Sequence, residues 1–257
     1  MNAIMSEYCF AIYPLVTQLL GAHPIIVPAK QHGHDLPAMV KAITPATKAI
    51  FVANPNNPTG TLVPSSKVLA FLNQVPPNIV IIMDEAYIDF LEQPLDLIPP
   101  ILSGEKSDLI LLRTFSKIYG LAGLRLGYGI AHPAFIATLE KIRQPFNVNS
   151  LSQAAGLAAL DDTAHVQKTR QNNFLGLKFM EGVLGEIGIE YIPSHANFIL
   201  AKVGEGRRVF EALQAKGIIV RPMHGYGLPE WIRISIGLPR ENHRFARTLA
   251  GILATAK

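Results

Sequence analysis

Short apolar runs rich in β-branched residues alternate, over the first half of the chain, with segments in which apolar residues recur every three or four positions. The runs predict buried strands, and the three-to-four spacing predicts amphipathic helices. The predicted strands are residues 24–28, 48–53, 79–83, 109–113 and 126–130. The predicted helices are residues 36–43, 65–74 and 133–143. Strands that are apolar almost throughout and alternate with helices predict an α/β fold with a mostly parallel sheet.

The pattern changes after Pro145. Two helices are predicted first, followed by short strands separated by further helices, which together indicate a smaller α+β unit. The helices are residues 150–160, 164–184, 207–216 and 241–255, and the strands are residues 190–192, 197–201, 218–221 and 231–236. We therefore predict a large domain over residues 1–146 and a small C-terminal domain over residues 147–257.

Composition narrows the class of protein. The chain has 257 residues, 49% of them hydrophobic, which is enough apolar material for a sizeable core. The net charge is +4 and the basic residues form no block, so we predict no nucleic-acid partner. No apolar run reaches membrane-spanning length and the N-terminus lacks a signal-peptide pattern, so we expect no membrane association. The single cysteine, Cys9, fits a reducing compartment, and we expect a cytoplasmic protein.

Polar clusters follow three of the predicted strands and precede a fourth. N-P-N-N-P-T-G occupies residues 54–60, D-E-A-Y residues 84–87 and T-F-S-K residues 114–117, while G-L-R-L-G places Arg125 before the strand at 126–130. Each cluster alone has a structural explanation, namely a turn, a helix cap, a surface lysine or a salt-bridge partner. Ligands of parallel sheets bind beyond the carboxyl ends of the strands, so the four clusters together favour one site.

Pyridoxal 5′-phosphate is a cofactor that uses all four clusters. It needs a lysine amine for its aldehyde, a carboxylate for its pyridine nitrogen, donors to its ring hydroxyl, and a cationic, hydroxyl-rich cup for its phosphate. Lys117 supplies the amine and Asp84 the carboxylate. The ring-hydroxyl donors are Asn57 and Tyr87, and the phosphate-binding residues are Thr114, Ser116 and Arg125. We predict no metal site.

The order and spacing of these motifs resemble those of the fold-type I pyridoxal-phosphate enzymes and, among them, the histidinol-phosphate aminotransferase family. The resemblance extends from about Tyr8 to the C-terminus. It implies that Phe10 stacks on the cofactor ring and that Arg233 binds the substrate α-carboxylate. It also implies that Arg221 lies near the substrate phosphate and Asn197 near the substrate.

The resemblance implies reversible transamination in histidine biosynthesis, with L-histidinol phosphate as donor and 2-oxoglutarate as the oxo acid. Lys117 would exchange with the substrate amine and then move a proton as general base and acid. Asp84 would keep the ring protonated, and Tyr87 would donate a hydrogen bond to the ring hydroxyl. Aromatic amino-acid transamination and decarboxylation of threonine phosphate remain alternatives, because related enzymes share most of these motifs. The family pattern implies a homodimer.

Members of this family begin on the order of a hundred residues earlier, so we expect the chain to lack their N-terminal segment. That segment carries an arm, part of the phosphate cup and the first strands of the large domain. A hypothesis of another class follows, in which the polypeptide is a non-catalytic remnant that folds only with a partner. Dinucleotide binding is disfavoured, because residues 120–129 lead into a strand and lack the G-x-G-x-x-G helix opening.

Overall fold

The structure is a computed structural model and describes residues 1–254. Its larger sheet has six strands: β1 (Asn2–Ser6), β2 (His23–Val27), β3 (Thr47–Ala53), β4 (Val80–Asp84), β5 (Leu109–Thr114) and β6 (Gly127–Ala131). They lie in the order β2-β1-β3-β4-β5-β6. Strands β1 to β5 run parallel, and β6 pairs antiparallel with β5. The predicted mostly parallel sheet is confirmed.

Four helices connect the first five strands, namely α1 (Ile12–Leu19), α2 (Leu36–Lys41), α3 (Ser65–Gln74) and α4 (Ile98–Leu102), and α5 (Pro133–Glu140) follows β6. The Asp35 carboxylate caps α2 by accepting from the amide of Ala38 at 3.1 Å. Helix α3 follows Pro64, whose fixed φ suits a helix start. Apolar side chains from α2, α3 and α4 pack on the central strands, and Met39, Phe71 and Ile101 are almost fully buried.

The rest of the chain begins with α6 (Ser150–Asp161) and α7 (Thr163–Glu186). A second sheet follows, made of β7 (Tyr191–Ile192), β8 (Phe198–Lys202), β9 (Arg221–Pro222) and β10 (Trp231–Ser235), with helices α8 (Gly206–Gln214) and α9 (Pro239–Ala254). Its order is β7-β8-β10-β9, and every pairing is antiparallel. The predicted smaller α+β unit is confirmed.

The predicted elements differ from the observed ones mainly at their ends. Helix α2 stops at Lys41 and α5 at Glu140, both before the predicted ends. The predicted strand at residues 218–221 was wrong, because the amide of Ile218 bonds back to the carbonyl of Leu213 and the strand begins only at Arg221. The prediction missed β1, α1 and α4. Residue 255, the last position of the predicted final helix, lies outside the described residues.

Helices α6 and α7 both touch the large-sheet unit. The Ser152 hydroxyl of α6 donates to the carbonyl of Leu124 at 2.9 Å, and Arg170 Nε of α7 donates to the carbonyl of Asp89 at 2.8 Å. Helix α7 also reaches the second unit, where Asn173 Nδ2 donates to the carbonyl of Ala196. The domain boundary at residues 146–147 therefore stays a prediction.

The loop after β3 joins the two units. The amide of His195 donates to the carbonyl of Gly60 at 2.8 Å. Gly60 has φ +74°, and a Cβ there would lie 2.2 Å from Ser194 Oγ, so only glycine fits. This contact fixes the second sheet beside the ends of β3 and β4. Within residues 1–254 no helix is long and apolar enough to cross a membrane.

Candidate active site

A cavity of about 300 Å³ opens where β4 and β5 end. Asp84 is the last residue of β4 and Thr114 the last of β5. Because neighbouring parallel strands end at the same sheet edge, residues far apart in sequence meet there. Six of the predicted cofactor-binding residues line the cavity: Phe10, Asp84, Thr114, Ser116, Lys117 and Arg125.

Asp84 is half-buried and both of its carboxylate oxygens accept hydrogen bonds. The Tyr13 hydroxyl donates to Oδ2 at 2.5 Å, and the amide of Ala86 donates to Oδ1 at 3.0 Å. Burial raises the pKa of the carboxyl, while these two hydrogen bonds and the charge of Lys117 oppose that rise. Burial has the larger effect, so the pKa of this carboxyl stays above its ordinary value, and the contacts limit the rise.

Lys117 follows β5 and places its Nζ 5.2 Å from the ring centroid of Tyr87. Burial lowers the pKa of the Lys117 amine, and the positive charges of Arg233 and Arg125 lower it further against the opposing effect of Asp84. A lowered pKa increases the fraction of neutral amine, which is the nucleophilic form. Burial also raises the pKa of the Tyr87 phenol to about 12, so this hydroxyl stays a donor.

The hydroxyls and the guanidinium of the predicted phosphate cup lie beside Lys117. The hydroxyl of Thr114 accepts from the amide of Ser116 at 3.1 Å, which fixes the turn that leads to the lysine. Arg125 is exposed, has the left-handed backbone angle φ +53°, and donates from Nη1 to the carbonyl of Ala122 at 2.8 Å. It lines the cavity, and no ion pair joins it to a carboxylate among the described residues.

Arg233 on β10 reaches across to the loop after β3. Its Nη1 donates to Asn57 Oδ1 at 2.5 Å, and its guanidinium carbon lies 4.7 Å from the ring centroid of Phe198. Its Nε is buried and has no hydrogen-bond partner among the described residues. Arg221 is the register partner of Arg233 on β9. Two cations on adjacent strands with an unused buried donor have the chemistry to bind an anion, and their role as substrate-binding residues stays a prediction.

The Asn-rich loop is held by its own amide side chains. Asn54 accepts from the amide of Val63 at 2.7 Å and donates to the carbonyl of the same residue. Asn56 is almost fully buried and donates to the carbonyl of Tyr8 at 2.7 Å and to Thr59 Oγ1 at 2.8 Å. These bonds leave Asn57 as the asparagine of the motif that contacts Arg233.

The residues at this edge fit pyridoxal phosphate. The cavity combines an amine of lowered pKa, a carboxylate, an aromatic ring at Phe10, and hydroxyls beside a guanidinium. This donor set matches the reactive aldehyde, the pyridine nitrogen, the ring face and the phosphate of the cofactor. Asn57 and Tyr87, the other two predicted cofactor-binding residues, do not line the cavity. Asn57 contacts Arg233, and the Tyr87 ring contacts Phe198 and lies near Lys117 Nζ, so both lie between the cavity and the second sheet.

Two neighbours of the site were not predicted from the sequence. Tyr13, which bonds Asp84, is the second residue of α1, and its amide donates to the carbonyl of Phe10, just before the helix, at 3.0 Å. The other is an ion pair in which Arg113 Nε donates to Glu85 Oε2 at 2.8 Å. Glu85 follows Asp84 directly, so the pair holds the ends of β4 and β5 together.

Neither the structure around Asn197 nor a second, larger cleft ties a further residue to this cavity. Asn197 precedes β8, and its carbonyl accepts from the amide of Ile236 at 2.9 Å, so its place near a substrate stays a prediction. A cleft of about 400 Å³ lies between the start of α2 and α3 and includes Lys30 and Lys67. None of the predicted site residues lines it, so we place the chemistry in the smaller cavity.

Comparison with known proteins agrees with this site. The model of the family "Aminotransferase class I and II" matches residues 2–249. Histidinol-phosphate aminotransferase 2 of Ralstonia nicotianae is 50% identical over 100% of this chain and 70% of that protein. Histidinol-phosphate aminotransferase of Akkermansia muciniphila is 46% identical over 98% of this chain and 69% of that protein.

The chain belongs to the class I and II aminotransferase family. The predicted family and the predicted pyridoxal-phosphate cofactor are thereby confirmed. Members of this family transfer an amino group between an amino acid and a 2-oxo acid.

Solved structures of aminotransferases share the fold. Histidinol-phosphate aminotransferase from Sinorhizobium meliloti, in complex with pyridoxal-5′-phosphate, superposes with a TM-score of 0.91 and 26% identity over 100% of this chain and 71% of that one. L-Threonine-O-3-phosphate decarboxylase from Porphyromonas gingivalis superposes with a TM-score of 0.85 at 23% identity, over 98% of this chain and 77% of that one. The second likeness shows the fold alone.

Proposed function

We propose that this aminotransferase transfers the amino group of L-histidinol phosphate to 2-oxoglutarate. The observation that carries the proposal is the meeting of Lys117, Asp84 and Arg125 in one cavity, beside the paired cations Arg221 and Arg233. The relatives that match almost the whole chain at 46–50% identity bear the name of this enzyme, which supports the choice of donor.

Lys117 carries the proton transfers. Pyridoxal phosphate supplies an aldehyde that condenses with amines and a protonated pyridine ring that accepts the electron pair released at the substrate α-carbon. With its amine free, Lys117 Nζ would take the proton from the substrate Cα as a general base. The lowered pKa of this amine suits the task, because a neutral amine accepts the proton more readily near neutral pH.

Asp84 and Tyr87 set the charge around the reacting centre. The Asp84 carboxylate lies at the cavity floor and can hold a proton on a ring nitrogen by its negative charge. The Tyr87 phenol, protonated because burial raises its pKa to about 12, can donate a hydrogen bond to an oxyanion. Phe10 gives the cavity an aromatic wall for a planar ring.

The two arginines of the second sheet suit two substrates with different anions. L-Histidinol phosphate has a phosphate ester where an amino acid has its α-carboxylate. Arg233, whose buried Nε lacks a partner among residues 1–254, would bind that phosphate in one half-reaction and a carboxylate in the other. Arg221 on the adjacent strand can add a second cation to either anion.

Three alternatives remain at the level of substrate and activity. An aromatic aminotransferase would use the same lysine and cofactor with a different donor. A threonine-phosphate decarboxylase would use the same arginines for its phosphate. A non-catalytic remnant would retain the fold and fail to bind the cofactor.

The test begins with cofactor binding by the purified chain. We expect added pyridoxal phosphate to give a visible absorbance band and, after borohydride reduction and digestion, a covalently modified peptide containing Lys117. Lys117→Ala should abolish both signals, whereas the control Lys141→Ala, at an exposed position just after α5, should retain them. The loaded chain should then convert L-histidinol phosphate and 2-oxoglutarate to imidazole acetol phosphate and glutamate.

The outcomes separate the alternatives. Glutamate formed only from aromatic amino acids would move the donor to that class. Release of carbon dioxide from threonine phosphate without glutamate would indicate the decarboxylase. A chain that is folded by circular dichroism but gives no band and no labelled peptide would refute the enzyme and favour the remnant.

We also infer a cytoplasmic homodimer. The location is supported by the single cysteine, Cys9, which is buried and whose thiol pKa is raised by burial to about 11. The dimer is supported by apolar side chains that stand exposed around α6, including Ile142 at 79%, Leu151 at 78% and Leu157 at 69%. Light scattering of the purified chain should give twice the chain mass, and a monomer would contradict the second inference.

A further inference from the structure

Tyr13 is a buried tyrosine that touches two walls of the cavity. Its side chain is 4% exposed, stacks on Phe51 with ring centroids 4.7 Å apart at 14°, and meets Phe10 edge-on at 5.8 Å and 87°. Its carbonyl accepts from the hydroxyl of Thr17 at 2.8 Å. Helix α1 and strand β3 thus fix the ring, and the hydroxyl has one position.

That position faces the carboxylate of Asp84. The Tyr13 hydroxyl donates to Oδ2 at 2.5 Å, a short charge-assisted hydrogen bond. The phenol is protonated and acts as the donor, because burial and then the charge of Asp84 raise its pKa well above the ordinary value. The Ala86 amide holds the other oxygen, so the carboxylate plane is fixed from two sides.

We propose that Tyr13 is a positioning residue for Asp84: its hydroxyl orients the carboxylate and lowers its proton affinity, so that a proton shared with a cofactor ring nitrogen stays on the ring. The inference rests on the role proposed above for Asp84. An aspartate without this hydrogen bond would be more basic, because a bond to the charged form stabilises that form. The shared proton would then move toward the carboxyl, and the ring would accept electrons less well.

The other groups that act on Asp84 do not replace Tyr13. Lys117 faces it from the turn after β5 and favours the ionised form by its charge. Tyr87, in the loop after β4, faces it with a protonated phenol. Cys9 acts on Tyr13, and its thiol is neutral because burial raises its pKa to about 11. Among these side chains only Tyr13 forms a hydrogen bond with the Asp84 carboxylate.

The test measures the pKa of Asp84 in the chain freed of cofactor. Carbon-13 in the aspartate carboxyl groups reports each titration, and the signal missing in Asp84→Asn assigns the residue. Tyr13→Phe removes the hydroxyl and keeps the ring that packs on Phe51 and Phe10. We expect the pKa of Asp84 to rise by about one to two units, the range of a hydrogen bond to a charged group. The control Tyr191→Phe, in β7, should leave it unchanged.

Cofactor affinity gives the second readout. Affinity for pyridoxal phosphate should fall as the pH is lowered and Asp84 takes up a proton. In Tyr13→Phe the midpoint of this fall should lie at a higher pH, by the same number of pH units as the shift in the Asp84 pKa. A folded Tyr13→Phe chain in which Asp84 titrates as in the wild type would overturn the proposal. If neither the wild type nor Tyr13→Phe bound the cofactor, the proposed function would fail. The titration of Asp84 without cofactor would still decide the role of Tyr13.

If Tyr13→Phe does not fold, the same coupling can be measured from the other residue of the pair. Carbon-13 at the phenol carbon of tyrosine reports the pKa of Tyr13 in the wild type and in Asp84→Asn. We expect this pKa to fall in Asp84→Asn, because the negative charge and the accepted hydrogen bond that raise it are gone. An unchanged Tyr13 pKa would refute the coupling.

Discussion

The ion pair between Arg113 and Glu85 offers a stability prediction that can be worked out from the structure. The Glu85 side chain is 3% exposed and that of Arg113 is 19% exposed, with 2.8 Å between Nε and Oε2. Arg113→Met keeps much of the apolar stem and removes the cation. Glu85 is then a buried carboxylate without its partner, an arrangement that is strongly destabilising.

The size of the loss is limited by protonation of Glu85. A buried carboxylate can take up a proton at a cost of about 1.4 kcal/mol for each pH unit above its unfolded pKa of about 4.3. The limit is therefore about 3.7 kcal/mol near pH 7 and about 1 kcal/mol near pH 5. Burial already raises the pKa of Glu85 with Arg113 present, so we expect a loss of about 2–3 kcal/mol near pH 7.

The sign of the pH dependence follows from the same linkage. In Arg113→Met the pKa of Glu85 rises further above its unfolded value, so the folded chain binds more protons than the unfolded chain between the two pKa values. The free energy of unfolding of the variant should therefore fall relative to the wild type as pH rises from about 5 to about 7.

Urea unfolding followed by circular dichroism measures the effect at both pH values. Glu85→Gln combined with Arg113→Met is the matched control, because it has neither charge at this position. The double variant should lack the pH-dependent part of the loss. An Arg113→Met chain that loses the same free energy near pH 5 as near pH 7, or a double variant as pH-sensitive as the single one, would refute the reasoning.

Three further predictions test other contacts. Gly60→Ala should lower the free energy of unfolding, measured by urea titration, by about 2–4 kcal/mol, through strain at φ +74° and a clash with Ser194. Adding Ser194→Gly to this variant should restore only the part of the loss that the clash causes. Burial lowers the pKa of His34 to about 4, so the wild type should lose up to about 3 kcal/mol between roughly pH 6.5 and 4, and His34→Gln should not. Arg233→Lys should lower kcat/KM for the anionic donor about 100-fold, more than Arg221→Lys, in steady-state assays with the loaded chain.

The apolar pattern was sufficient to predict most of the fold. A buried parallel strand has apolar side chains on both faces, so runs such as residues 48–53 and 109–113 are visible without knowledge of their neighbours. The first strand was missed because it is a run of only five residues at the start of the chain, and helix α1 was missed because Pro14 lies within its first turn. Helix α4 was missed because two of its five residues are proline.

The motifs at strand ends were also readable from the sequence, because their residue types are unusual in such places. Lys117 and Asp84 could be assigned to one site, since parallel strands bring their carboxyl ends to one edge. Arg125 precedes β6 and joins them because β6 runs antiparallel to β5. What each side chain touches could not be predicted. Whether Asn57 turns its amide toward a ligand or another residue depends on where the second sheet lies.

The sequence by itself determined most of the strands and helices, the family and the chemical types gathered at the sheet edge. The tertiary structure decided the partners: Tyr13 meets Asp84 across 71 positions, and Arg233 meets Asn57 across 176. Local periodicity reports which face of an element is buried and carries no information about the distant residue that will lie against it. Hydrogen bonds and pKa values depend on those distant residues, so they become defined only when the two sheets pack together.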